Sequence, residues 1–362
     1  MAVNAAAAKR AAERLSTATA EFINAIKPTD LWVTQDWHPK GHKSFKSEHS
    51  ANTITETAYG PYALGFYKVN SFASNENAGA GRGGKRLWKD PMVPNPADQY
   101  LWPDHCLQNE EGSDAHVNKT FEDALSPDER SKIVVVRKGD DPSVDNYSAL
   151  ASVGGKFLPY VVKSVEDLTK PDADVDKSLK YKAVLDAAVA NLDIIYVTGI
   201  ARNVCVKSTF LDLLNYVTIP QFKNTSKVTK VVFMYNLARP VAASFDISPE
   251  DLTKLASTLL TDMGIDAARH AEFFEVVGDG KTYSFDEVLP HEGKKGVIVV
   301  DLQDCFLPGG TLATGNARNA MAGGRRCRCG KTRRHKGHCK QTRRSRCNCG
   351  KTRKHRKQRS CK

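Results

Sequence analysis

The stretch DWHPKGHKSF, residues 36–45, sets one carboxylate and two imidazoles, Asp36, His38 and His42, within seven positions. LWPDHC, residues 101–106, adds His105. A carboxylate with imidazoles suits zinc, iron or manganese, with coordination positions left open for water or a substrate. A single histidine in a loop is ordinary, but D-x-H with a further histidine in W-P-x-H-C favours a metal. A second group of residues has the types needed for nucleophilic catalysis. Cys205, in VTGIARNVCVKSTFLD, follows a strand and a tight turn and starts a helix. The helix end favours an anion there and predicts a lowered thiol pKa. Lys138 in RKGDD could be a solvated lysine or a cation serving that thiol. Asp301 ends the apolar run VIVV, where an uncompensated carboxylate would need a partner.

Elements must bring these groups together. Residues 5–26 read as an amphipathic helix, with Leu15, Ala18, Phe22, Ile23 and Ile26 on its apolar face. Strands are predicted at 30–37, 131–139, 193–200 and 230–238, with an edge strand at 272–278. Helices are predicted at 177–191, after Cys205, and at 248–264, the last opening on a Ser248–Asp251 capping box. GVIVVDLQDCFLPGG, from Gly296, reads as one more buried strand. The alternation implies an α/β fold with a doubly wound, mainly parallel, six-stranded sheet. Working groups gather at the carboxyl ends of strands in such sheets, where Asp36, Lys138, Cys205 and Asp301 all stand. The Gly-, Asn- and Ser-rich residues 46–100 read as a long irregular insertion.

Hydrophobic residues make up 41% of the 362, enough for a sizeable core. No apolar run approaches the roughly 20 residues that cross a bilayer, and the N-terminus lacks a signal peptide's apolar centre. This points to an intracellular protein of cytoplasm or nucleus. The net charge of +12 is uneven: residues 325–362 hold 18 of the 53 Lys and Arg and no acid, leaving 35 basic against 41 acidic residues upstream. Of nine cysteines, Cys106, Cys205 and Cys305 are scattered through residues 1–324, which argues against a disulfide framework and for a reducing compartment.

DWHPKGHKSF, LWPDHC, KGDDPSVDNYSAL and VTGIARNVCVKSTFLD together resemble the successive motifs of nicotinamidases, within the isochorismatase-like cysteine hydrolases. GVIVVDLQDCFLPGGTLA resembles the opening strand of that family, yet here it comes last. The resemblance spans roughly residues 8–320 and implies a circular permutation, with residues 296–302 supplying the family's first strand to a domain of residues 1–324. A truncated second copy, or an artefact of the gene boundary, is the duller explanation. The resemblance further implies hydrolysis of nicotinamide to nicotinate and ammonia. Cys205 would be the nucleophile, Asp301 the proton acceptor and donor, and Lys138 the cation between them. Backbone N–H groups of Ala201 and Cys205 would form an oxyanion hole beside a cis peptide at Ile200–Ala201. Trp102, Tyr147 and Phe306 would line the substrate pocket. Asp36, His38 and His105 would hold the metal, zinc foremost, with His42 ranked behind them. Cys305 departs from the family pattern.

Residues 325–362 repeat R-C-x-C-G-K-T-R-x-H at a 20-residue period, as RCRCGKTRRH and RCNCGKTRKH. Such a tail, lacking apolar residues, is expected to be disordered alone. Its charge suits non-specific binding of nucleic acid, and its Cys and His an unusual zinc site, while a solvated extension is equally compatible. A nucleic-acid-binding or packaging protein with the hydrolase domain as scaffold is the alternative function. A homo-oligomer is also compatible, including one in which Asp301 is donated by a second chain.

Overall fold

The computed structural model describes residues 2–48, 55–59, 64–68, 98–100, 102–108, 117–142, 145–150, 159–162, 181–218, 228–241, 246–280 and 292–307. The tail at 325–362, most of the 46–100 insertion and the middle of the 278–295 linker lie outside these residues.

Helix α1 (Ala2–Ile26) buries Leu15, Ala18, Phe22, Ile23 and Ile26, the face its periodicity predicts. It stops where Lys27 turns left-handed (φ 47°) ahead of Pro28, a residue that cannot continue a helix. Strand β1 (Asp30–Asp36) follows and is buried almost throughout. Three short strands, β2 (Thr55–Tyr59), β3 (Leu64–Lys68) and β4 (Asp98–Tyr100), pair antiparallel into a separate small sheet. The insertion is therefore not wholly irregular. Helices α2 (Lys119–Ala124), packed on α1, and α3 (Pro127–Arg130) are capped by Asn118 and Ser126, whose side chains accept from backbone N–H groups three residues on. Asn24 of α1 joins both: its amide donates to the Ala124 carbonyl and accepts from the Ser126 N–H, each at 2.9 Å.

Strand β5 (Ile133–Lys138) comes next, then β6 (Tyr160–Val162), helix α4 (Tyr181–Val189) and β7 (Ile194–Ile200). A π-helical turn at Arg202–Val206 leads into α5 (Lys207–Val217). Strands β8 (Lys230–Arg239) and β9 (Phe274–Val277) flank α6 (Pro249–Asp262), whose Ser248 cap accepts from the Asp251 N–H at 3.0 Å. The last strand among the described residues is β10 (Lys295–Val300).

The main sheet runs β6-β5-β1-β10-β7-β8-β9. It has seven strands, one more than expected, because β6 adds an antiparallel edge on β5. Every other pairing is parallel. The strand that comes last in sequence occupies the centre, between β1 and β7. Val297, Ile298, Val299 and Val300 are fully buried there, each worth roughly 1.5–3 kcal/mol against exposure. Gly199 of β7 is required by this seat. It lies opposite Val300, has φ +116°, and a Cβ on it would fall 2.0 Å from the Val300 carbonyl oxygen.

Candidate active site

The parallel register aligns the ends of β5, β1 and β10, and the chemistry collects there. Asp36 is paired with Lys138 across β1 and β5. The Lys138 ammonium lies 2.7 Å from Asp36 Oδ1, 2.8 Å from Asp301 Oδ2, 3.0 Å from the Asn146 carbonyl and 3.7 Å from Cys205 Sγ. Asp301, with φ +47°, leaves β10 at a turn. Its Oδ1 accepts from Thr34 Oγ1 at 2.6 Å, and its own N–H donates back to that oxygen at 3.0 Å. Its Oδ2 pairs with the buried Lys138 ammonium. Sulfur and carboxylate oxygens of Cys205, Asp36 and Asp301 all lie within 4.8 Å of one another. All of them belong to one chain.

Burial governs the protonation of this cluster. Burial alone would discharge Lys138, but Asp301, Asp36 and Cys205 overcome it and hold the ammonium well above its ordinary pKa. Burial raises Asp301, Lys138 opposes it and Asp36 adds to it, and the carboxyl is pushed up to about 6. Burial also raises the Cys205 thiol well above its ordinary value; Lys138 pulls it down, but Asp301, Asp36 and Asp145 push it up. The helix-end effect expected from the sequence is thus overridden. The thiol is neutral in the resting site, and a base must take its proton.

The second cluster adjoins the first. Asp36 Oδ2 faces His38 Nε2 at 3.3 Å and His105 Nε2 at 3.6 Å. The remaining ring nitrogens are committed: His38 Nδ1 to the Gly139 carbonyl at 2.9 Å, and His105 Nδ1 to the Pro103 carbonyl at 2.7 Å. A carbonyl only accepts, so both Nδ1 atoms carry protons, and in the neutral rings both Nε2 lone pairs point at the carboxylate. Three acceptors converging in a buried place call for a cation. Burial disfavours a charge on His38, yet Asp36 outweighs it and raises the pKa, so a proton is held there more tightly than usual. On Asp36, burial pushes the pKa up, but Lys138, His38 and His105 win and hold the carboxyl well below its ordinary range. These three residues fit a divalent metal. His42 stands outside the three-donor group. Its Nδ1 is taken up by Ser44, 2.7 Å from the hydroxyl and 3.2 Å from the backbone nitrogen.

Phe45 packs 5.4 Å from both the His38 and His105 rings. A pocket opens beside the two clusters, lined by Asp36, Trp102, His105, Asp145, Tyr147, Ala201, Val204, Cys205, Val241 and Phe306. Trp102 Nε1 donates to the Tyr147 hydroxyl at 3.1 Å, and Phe306 lies 5.5 Å from the His105 ring. The peptide Ile200–Ala201 is cis.

Sequence reasoning missed four supports. Thr34 holds Asp301. Gln303 clamps the Asp36 backbone, accepting from its N–H at 2.7 Å and donating to its carbonyl at 3.0 Å. Gly139 (φ +75°) leaves room for His38, whose Cε1 would lie 2.6 Å from any Cβ there. Asp145 is a further buried carboxylate in the pocket. Only Gln303 had a signal, its place two residues after Asp301.

The expectation for the cysteines is also overturned. Cys106 and Cys305 are joined in a disulfide across 199 residues, so the cysteines of residues 1–324 are not all reduced. Each is buried, and sequence distance concealed that β10 carries Cys305 to the end of the His105 segment.

No family model matches the chain. It is 26% identical to the nicotinamidase of Escherichia coli (strain K12) over 185 residues, 50% of this chain and 55% of that protein. It is likewise 26% identical to the nicotinamidase of Acinetobacter baylyi over 180 residues, 50% and 54% of the respective chains. The chain thus spans about half the length of the curated relatives it matches. Among solved structures, a nicotinamidase and pyrazinamidase of Acinetobacter baumanii covers 68% of this chain and 83% of its own, with 18% identity and a TM-score of 0.34.

Proposed function

We propose that this chain, similar to nicotinamidases over half its length, hydrolyses nicotinamide to nicotinate and ammonia. The observation that carries the reading is the placement of Asp301 and Lys138 beside the Cys205 thiol in one buried site. The Cys205 sulfur attacks the amide carbon while Asp301 takes the thiol proton. The carbonyl oxygen gathers negative charge toward the backbone N–H groups of Ala201 and Cys205. Asp301 then passes its proton to the amide nitrogen, and the carbon–nitrogen bond breaks to release ammonia. Water attacks the resulting thioester as Asp301 accepts its proton, and the sulfur leaves as Cys205 regains one. Lys138 stays charged throughout and favours the anionic forms of both partners.

Asp36, His38 and His105 would hold a divalent ion, zinc foremost. Such an ion supplies a Lewis acid for the pyridine nitrogen. Trp102, Tyr147 and Phe306 would enclose the ring beside Cys205.

Residues 1–324 form the hydrolase domain in this reading, with residues 296–302 as the permuted central strand, and 325–362 is an appended tail. No described helix is long and apolar enough to cross a membrane.

Ammonia release from nicotinamide tests the reading. The parent should turn over, and Cys205→Ala should not; a parent as inert as that variant would overturn it.

A further inference from the structure

The Cys106–Cys305 disulfide stands where the three candidate metal-ligand segments meet. Cys106 directly follows His105, and its carbonyl accepts the His38 backbone N–H at 3.0 Å. Cys305 directly precedes Phe306, the ring packed on His105. Its own short turn hangs from Gln303, whose carbonyl accepts the Phe306 N–H at 3.1 Å and whose side chain clamps Asp36. One covalent bond therefore joins the backbone that places His105 and His38 to the turn that places Asp36. Cys106 has φ +47°, a left-handed conformation uncommon outside glycine that neighbouring structure must hold.

We propose that this disulfide is a positioning device for the Asp36–His38–His105 site, tightening its hold on a divalent metal. The inference rests on the metal reading above. Cys106 and Cys305 are 2% and 0% exposed, so a reductant reaches their sulfurs only when the 102–108 segment opens locally. Reduction by a dithiol breaks the S–S bond through a mixed disulfide. Two electrons and two protons pass to Cys106 and Cys305, and the dithiol closes to a cyclic disulfide. The coupling is reciprocal. If the bond tightens metal binding by some factor, bound metal makes the bond harder to reduce by the same factor.

The experiment uses the full chain and zinc. Retained zinc is measured after desalting, with His38→Ala as the blank that subtracts metal held elsewhere, including by the cysteine-rich tail. Alkylation and mass spectrometry read the redox state at Cys106 and Cys305. We expect reduction to weaken His38-dependent zinc binding about tenfold. Cys106→Ser, Cys305→Ser and the double variant should all show that same loss, because they delete one bond. Zinc should slow reduction of the parent. The urea midpoint is measured alongside, since a purely structural cross-link would shift it without changing zinc affinity. If either variant fails to fold, the reduced and alkylated parent supplies the comparison. Equal zinc affinity in the oxidised and reduced parent would overturn the proposal, as would free thiols at both positions in untreated protein. If His38→Ala retains as much zinc as the oxidised parent, the metal reading itself falls.

Discussion

Lys138 is the residue on which the site balances: it neutralises two buried carboxylates and leans on a thiol. Replacing it with methionine would leave Asp36 and Asp301 buried without their cation. Unfolding measurements should show a loss of about 3–5 kcal/mol at neutral pH, shrinking in acid as the carboxylates protonate. Asp301, raised from an ordinary 3.8 to about 6, sets a second prediction. It acts as a base only when ionised, so kcat/KM should climb as pH rises through about 6. Asp301→Asn should lower turnover by about 10²–10⁴-fold and abolish that acid limb. The sign for stability is opposite: a raised carboxyl stabilises the fold fully below its unfolded pKa, and that contribution is lost as pH rises through about 6. The residue types of this site were legible because cation, thiol, carboxylates and imidazoles carry their chemistry in their names. The thiol's protonation was not, since it depends on burial and on three neighbouring acids that only the fold assembles.

At the scale of elements, two glycines let the backbone approach its neighbours closely. Gly139→Ala would drive a methyl into His38 at a left-handed position. The expected result is at least a tenfold loss of zinc affinity, checked by titration, with the sheet intact by circular dichroism. Gly199→Ala would collide with the Val300 backbone and should lower stability by about 3 kcal/mol or more, read by urea unfolding. The long strands were readable from sequence because runs such as VIVV and IIYV are apolar, β-branched and bounded by polar residues. Strand β6 was missed because three residues carry no periodicity. The β2–β4 sheet was missed because glycine and asparagine dominate its connections. The disulfide was missed because pairing is a distance, and none can be read between positions 106 and 305.

For the whole molecule, the order β1-β10-β7 puts the strand encoded late in the chain at the centre of the sheet, where the proposed permutation would place it. Transferring the segment that contains β10 to precede α1, with the present linker rejoined, should give a chain of similar turnover and melting temperature. A large loss of either would mean that the present order matters for more than connectivity. Deleting the chain beyond residue 292 should leave an inactive protein without a cooperative unfolding transition, since both β1 and β7 would lose a parallel neighbour.

The central place of that final strand also bears on synthesis. A ribosome that stalls before position 301 releases a polypeptide with thiol, ammonium and imidazoles already made, but no acid to receive the thiol's proton. Under the proposed mechanism incomplete products would be catalytically mute, since the central strand and its acid are synthesised after the rest of the site.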